Sequence, residues 1–379
     1  MRLQIILRSL FFLALGLLFT QAYGQGCVAI RQFSTGNGGM SNGSILSTGE
    51  WQVGTNYRYF KSFRHFMGTE EQPDRLEEHT EVINHQHSLD LFATYAFSPR
   101  WFTTLTVPFV YNERSSLYEH GRTERHTTYS SGLSDMRLGV AYWLFDPQKH
   151  QGGNLSVGLG IKAPTGDYAA TSTFYNVGED GGEEVRTVDQ SIQPGDGGWG
   201  LFLDIQAFQQ VSHSFILYAN LNYLSNPREM NGTSTNRSRE NESIMSVADQ
   251  FGGRLGVSYI TPLQGLGASL GGRIEGIPVY DLIGGSEGFR RPGYVISVEP
   301  GLTYGIGRAA INLNVPIAVV RNRTQSVPDK ETEAETGRPR HGDAAFADYL
   351  INVGVTFRLG RDRSMPMEHD IPVIQDVRK

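Results

Sequence analysis

Apolar residues occupy every second position in about twelve separate segments of this chain. In the segment 51–59, tryptophan, valine, threonine and tyrosine alternate with glutamine, glycine, asparagine and arginine. A period of two is the pattern of a β-strand whose two faces meet different surroundings. The alternation recurs at 89–97, 101–111, 136–144, 155–163, 199–207, 215–223, 251–261, 266–274, 294–304, 311–319 and 349–359. The chain is therefore predicted to be all-β.

The connections between these segments alternate between short and long. The short ones are 98–100, 145–153, 212–213, 262–265 and 305–308. The long, polar ones are 63–86, 113–131, 167–196, 227–247, 279–292 and 321–345. Outer-membrane barrels have short periplasmic turns and long extracellular loops. We therefore predict a transmembrane antiparallel β-barrel of about 12 strands over residues 50–359, with both ends in the periplasm.

Charged residues within the segments fall in the gaps between the apolar positions. A charge on the lipid face costs a few kcal/mol near the bilayer midplane, so these side chains are expected to face the lumen. Charges of both signs can pair across a lumen or set a field for passing solutes, and both interpretations stay open. The predicted lumen-lining residues are Asn56, Arg58, Asp90, Arg137, Lys162, Asp204, Arg254, Arg273, Glu275, Glu299 and Arg358.

Three segments lie outside the predicted barrel. Residues 1–24 have early arginines and a short apolar run, which is typical of a signal peptide cut before Gln25. Residues 25–49 are rich in glycine, serine and asparagine and are a possible hatch in the lumen, and 360–379 would be a periplasmic tail. A single cysteine excludes an internal disulfide framework, and a net charge of −6 without a basic segment argues against nucleic-acid binding.

The stretches Gly132-Leu133-Ser134-Asp135 and Gly160-Ile161-Lys162-Ala163-Pro164-Thr165-Gly166-Asp167 flank one predicted hairpin. Together they resemble the signature hairpin of the outer-membrane family named for the meta-pathway of phenol degradation. The resemblance implies a barrel channel for small, often apolar or aromatic, compounds. The predicted barrel and signal peptide place the chain in the outer membrane of a Gram-negative bacterium, with membrane lipid and lipopolysaccharide as expected partners.

Three functions are compatible with the pattern. The first is passive passage of small solutes through a narrow charged lumen. Barrels of eight strands are filled by their own side chains and barrels of sixteen strands hold an aqueous channel, so a lumen of twelve strands should be narrow. The second is a plugged structural or binding barrel that uses its His- and Glu-rich outer loops. His79, His85 and His87 are weak metal candidates there, since their spacing matches no defined site.

The third function is an outer-membrane lipid hydrolase with a serine nucleophile and a histidine base. His87 and Ser88 are adjacent. Adjacent residues of a strand point to opposite faces, so these two cannot act as a pair. We therefore predict that the chain is not an enzyme and requires no cofactor.

Overall fold

Twelve antiparallel strands form a closed barrel in the computed structural model, which describes residues 45–150 and 152–360. Each strand pairs with its neighbours in sequence, and the last pairs with the first. The strands are β1 (Trp51–Met67), β2 (Ile83–Ala96), β3 (Trp101–Ser116), β4 (His126–Leu133 and Arg137–Trp143), β5 (Gly153–Lys162), β6 (Gly200–Gln210), β7 (Phe215–Ser225), β8 (Gln250–Ile260), β9 (Leu266–Ile277), β10 (Gly293–Ile306), β11 (Ala309–Asn314 and Ile317–Asn322) and β12 (Ala344–Leu359).

The closing pair, β1 with β12, runs from Trp51 opposite Leu359 to Phe66 opposite Ala344. Closure lets strand backbones pair with a neighbour on both sides, which a lipid environment requires because it offers no water to unpaired groups. The five short turns lie at one end, here called the turn end, and the six long connections lie at the other, the loop end. The predicted twelve-stranded antiparallel barrel is confirmed.

The outer surface of the barrel carries the apolar positions of the alternation. Leu159 and Leu255 are each 67% exposed, and Leu201 is 55% exposed, whereas Phe202, the next residue along β6, is buried inside. A continuous apolar surface of this kind is unfavourable in water and is the normal lipid contact of a membrane barrel. Aromatic side chains such as Trp101 and Tyr304 are exposed near the strand ends, where the bilayer meets water.

Five strands reach at least five residues further toward the loop end than the alternation predicts. β1 continues to Met67, β2 begins at Ile83, β3 continues to Ser116, β4 begins at His126 and β12 begins at Ala344. The predicted loops 63–86, 113–131 and 321–345 were therefore too long. Apolar alternation reports contact with lipid, whereas backbone pairing continues above the membrane, where outward side chains become polar.

Two strands are interrupted opposite a proline of the neighbouring strand. β4 breaks at 134–136, where Ser134 N donates to Pro108 O at 2.8 Å, and β11 breaks at 315–316, where Val315 N donates to Pro300 O at 3.0 Å. Proline has no backbone N–H that could donate to the neighbouring strand, so the regular pairing of the two strands is interrupted there. The break in β4 places Ser134 and Asp135 inside the barrel, where both are buried.

The long connections contain the remaining secondary structure. Helix α1 is Asp74–Glu77, and helix α2 is Val327–Thr336, which begins with a capping box between Ser326 and Asp329. Within the described residues, no helix is long and apolar enough to cross a membrane. Short strands form two hairpins, Thr171–Phe174 with Glu184–Thr187 and Met230–Ser234 with Ile244–Ser246.

Candidate functional site

Eight of the eleven predicted lumen residues form one layer of charge inside the barrel, which we call the septum. It carries four basic and four acidic side chains, on strands β1, β2, β4, β6, β8, β9 and β10. Each lies on the face opposite the exposed apolar residues of its strand. The septum consists of Arg58, Asp90, Arg137, Asp204, Arg254, Arg273, Glu275 and Glu299.

Direct ion pairs connect five of these side chains. Glu275 accepts from Arg58 Nη2 at 2.8 Å and from Arg273 Nε at 2.9 Å. Arg273 Nη1 also donates to Glu299 at 3.2 Å, and Glu299 pairs with Arg254. Strands β1 and β9 are separated by three strands around the wall. The bond between Arg58 and Glu275 therefore crosses the lumen rather than following the sheet.

The other side of the septum contains Asp90, Arg137 and Asp204. Arg137 interacts electrostatically with both carboxylates, and Asp90 also faces Arg58, which joins the two halves of the septum. The Arg137 guanidinium lies 6.0 Å from the centre of the Phe202 ring. Buried charges are tolerated when opposite charges surround them, and the equal numbers of both signs meet that condition.

The septum lies between two cavities. The turn-end cavity has a volume of about 150 Å³, and its lining includes the rings of Phe92, Phe102 and Phe202. The loop-end cavity has a volume of about 80 Å³ and is lined mainly by amides, hydroxyls and charged groups, among them Gln86. Arg137 lines both cavities. Most of the aromatic rings that face the interior therefore lie at the turn end.

Residues 188–196, part of the connection between β5 and β6, enter the mouth of the barrel at the loop end. We call this segment the plug. Val188 and Ile192 are completely buried. The Ile192 carbonyl accepts from Asn112 Nδ2 at 3.1 Å and from the Ser130 hydroxyl, so two wall strands hold it. The plug covers the loop-end cavity, which its residues also line.

The hairpin that resembles the family signature anchors this plug. Lys162, which is 2% exposed, forms ion pairs with Asp135 at 3.6 Å and with Asp196 of the plug. Asp135 accepts from Gly166 N at 3.0 Å and from Asp196 N at 3.1 Å. The Ser134 hydroxyl donates to the carbonyl of Pro194 in the plug. The polar residues of the motif thus connect the break in β4, the end of β5 and the plug.

A second ion-pair group holds the other end of the plug. Asp189 accepts two bonds from Arg291, at 2.8 and 2.7 Å, and lies 3.6 Å from Arg114. Burial disfavours the charged carboxylate, but Arg114 and Arg291 hold the pKa of Asp189 well below its usual range. Asp189 is therefore ionised at neutral pH, which favours the inserted position of the plug.

The connection between β11 and β12 is tied to the barrel by a partly buried carboxylate. Asp343 accepts from His65 Nδ1 at 2.7 Å and from Arg75 Nη2 at 2.9 Å. Since His65 Nε2 accepts from Val82 N at 2.9 Å, the ring proton is on Nδ1. Burial opposes ionisation of Asp343, but His65 and Arg75 lower its pKa below the ordinary value.

Asn56 and Arg358, like Lys162, lie outside the septum. Asn56 is buried on the inner face of β1, opposite Asp90 in the strand register. Arg358 lies at the turn end, where its electrostatic partner is Glu50. The assignment of all eleven residues to a pore lining stays a prediction.

The three candidate metal ligands do not come together. His79 lies in the connection before β2, while His85 and His87 point outward on β2 and contact Tyr59 and Tyr57 at 3.0 and 2.7 Å. Within residues 45–150 and 152–360, no group of three or more His, Cys, Asp or Glu could hold a metal ion. The two strand histidines belong to an aromatic cluster near the outer membrane boundary.

Sequence reasoning also placed a hatch at residues 25–49. Most of that segment lies outside the described residues. Its final part, 45–49, is at the turn end, where Leu46 lines the turn-end cavity and Ile45 packs against the cluster around Trp143. The sequence pattern did not predict the plug, because residues 188–196 were part of the predicted polar loop 167–196.

Comparison with known proteins agrees with this architecture. The family model described as "Putative MetA-pathway of phenol degradation" matches residues 77–246, which include both parts of the signature hairpin. No curated protein matches the sequence. A solved outer membrane channel from Pseudomonas putida F1 is similar in fold, with 12% identity and a TM-score of 0.55 over 84% of this chain and 98% of that chain.

Two further solved barrels align over most of their length. The β domain of the Bordetella autotransporter BrkA is 12% identical, with a TM-score of 0.42 over 81% of this chain and 100% of that chain. The Pseudomonas putida toluene transporter TodX is 11% identical, with a TM-score of 0.40 over 89% and 98%. The fold shared with the Pseudomonas putida F1 channel and the closed, apolar-faced barrel show that the chain has the fold of an outer-membrane β-barrel.

Proposed function

We propose that this protein is a channel for passive passage of small solutes across the outer membrane. The observation that carries the proposal is the pair of cavities inside a closed barrel, separated by the side chains of the septum rather than by backbone. Side chains change rotamer far faster than backbone segments rearrange, so a septum of side chains is a barrier that a solute can pass. The charged lumen and the passive mechanism both belong to this proposal.

The size of the cavities limits the solutes. An engineered protein cavity of about 150 Å³ binds benzene, and the turn-end cavity has a similar volume. The loop-end cavity, at about 80 Å³, is smaller. The proposed solutes are therefore molecules of roughly six to ten non-hydrogen atoms, a size consistent with the small compounds that the family resemblance implies.

A plugged binding barrel is the second candidate, and the plug favours it. Residues 188–196 are held by ion pairs on two sides, through Asp189 and Asp196. If the plug does not move, solutes reach the cavities from the turn end only, and the barrel binds them without transport. Contact of the exposed apolar belt with membrane lipid and lipopolysaccharide is part of both proposals.

The hydrolase alternative gains no support from the described residues. His87 points outward and bonds to Tyr57, whereas Ser88 belongs to the inner face of β2. A nucleophile and its base must be within hydrogen-bond distance, which opposite faces of one strand do not allow. We retain the proposal that the protein is not an enzyme.

Liposome swelling tests the channel proposal directly. Refolded protein is reconstituted into vesicles that are then diluted into isotonic solutions of neutral solutes of graded size. Swelling that is rapid for solutes of up to about ten non-hydrogen atoms and absent for disaccharides is the expected result. Protein-free vesicles are the control. No swelling from a barrel whose heat-modifiable electrophoretic mobility proves it folded would support the plugged binding barrel instead.

A further inference from the structure

We infer that the preferred solute is a small amphipathic organic anion, with an apolar body and one carboxylate, and that Arg137 binds its carboxylate. The inference rests on the proposed channel function and adds the chemical class of the solute. It follows from the charges that line the two cavities, from the aromatic rings of the turn-end cavity, and from the position of Arg137 between the cavities.

Basic side chains outnumber acidic ones in the lining of both cavities. The turn-end cavity is lined by three arginines and one carboxylate, Asp204. The loop-end cavity is lined by three arginines and Lys162, against Asp135 and Asp196. A solute in either cavity therefore meets more cationic than anionic groups.

The carboxylates that balance these cations lie behind them. Glu299 pairs with Arg254, Asp281 with Arg290, and Asp189 with Arg291, yet none of these three acids lines a cavity. Distance weakens the interaction of a solute with the acids more than its interaction with the nearer guanidinium groups. The potential along the route thus favours negative solutes, as rings of arginine and lysine do in anion pores.

The apolar body of the solute is required by the turn-end cavity. Phe92, Phe102, Trp143 and Phe202 contribute rings to its lining. A small inorganic anion would leave these rings without contact. A hydrocarbon, in contrast, would strip water from the amides and charges of the loop-end cavity without replacing their hydrogen bonds, which costs free energy. Only an amphipathic molecule satisfies both environments.

Arg137 is where the two requirements meet. It lines both cavities, and its guanidinium is near the Phe202 ring. A guanidinium has five N–H donors, so it can bind a solute carboxylate bidentately while it keeps an interaction with Asp90 or Asp204. A solute whose ring or chain contacts Phe202 can therefore place its carboxylate on Arg137.

Calorimetry with a matched pair of probes tests the inference. Cyclohexanecarboxylate and cyclohexanecarboxamide have nearly the same shape and differ in charge. We expect the folded protein in detergent to bind the acid about tenfold to a hundredfold more tightly than the amide, which is the usual range for a charge-assisted bidentate contact. Arg137→Gln should remove this preference, and Arg137→Lys should retain part of it.

The control variant is Arg186→Gln, which changes a loop arginine paired with Glu184 and should leave the preference intact. Equal binding of acid and amide by the unmodified protein would overturn the inference. A preference that survives Arg137→Gln would overturn the role of Arg137. Bilayer recordings separate the two proposals. A conducting protein without acid preference refutes this inference alone, whereas acid preference in a protein that never conducts refutes only the channel.

Discussion

Replacement of Glu275 by glutamine should cause a large loss of stability. Glu275 is fully buried and accepts hydrogen bonds from both Arg58 and Arg273. Glutamine keeps the shape of the side chain but removes its charge, so the septum changes from electrically neutral to a net charge of +1. Arg273 keeps Glu299, while Arg58 loses this ion pair and keeps its electrostatic interaction with Asp90.

The magnitude follows from the burial of these groups. Removal of one partner from a buried ion pair costs about 3–5 kcal/mol, because it leaves an uncompensated charge away from water. The additional change Arg58→Met removes that charge. The double variant Arg58→Met/Glu275→Gln should therefore recover much of the loss, a coupling typical of contacting residues.

Urea unfolding in phospholipid vesicles, followed by tryptophan fluorescence, measures these differences as shifts in midpoint at constant slope. Glu184→Gln is the matched control, because Glu184 pairs with Arg186 on an exposed part of a loop and should show no shift. A loss below about 1 kcal/mol for Glu275→Gln would refute the reasoning. It would mean that water reaches the septum and that its charges are solvated.

Three further predictions concern the plug, the loops and the turn-end cavity. Lys162→Met should remove the cation that Asp196 and Asp135 share and raise amide hydrogen exchange in 188–196, and unchanged exchange would show that the anchor is elsewhere. The pKa of Asp343 is lowered, so the stability it adds is complete above its unfolded value of about 3.9 and is lost as pH falls through the lower folded value. After correction for the intrinsic exchange rate, amide hydrogen exchange of 323–343 should therefore stay constant from pH 7 to about 4 and rise below pH 4. A rise that is already complete at pH 5 would contradict this prediction. In Gly160→Ala, the added Cβ would overlap the Phe202 ring, so this variant should lower the unfolding midpoint, and Phe202→Leu in the same chain should restore part of it.

The architecture of the barrel was predictable from the sequence because lipid and lumen impose opposite demands on successive residues. Leu201 and Leu203 face outward, while Phe202 and Asp204 face inward, as the alternation indicates. Strand phase also placed the charges of the septum on the inner face. Their pairing was not predictable, because a bond such as that between Arg58 and Glu275 depends on barrel closure and on the stagger between strands.

The plug was missed because its composition is that of an exposed loop. Residues 188–196 contain only two large apolar side chains, Val188 and Ile192, among serine, glutamine, glycine and aspartate. One signal was present in the signature hairpin. Asp135 stands beside a predicted strand, and in the structure Lys162 and the plug are among its partners. A motif of small and charged residues at strand ends was therefore evidence for a third, inserted segment.

Single-channel conductance of the refolded protein in planar bilayers tests the central claim most directly. A passage through both cavities predicts small discrete steps. Arg137→Ala should raise the step size, because this side chain separates the cavities, whereas Arg186→Ala should leave it unchanged. Absence of steps from a verified folded barrel, or steps that Arg137→Ala does not alter, would contradict a route across the septum.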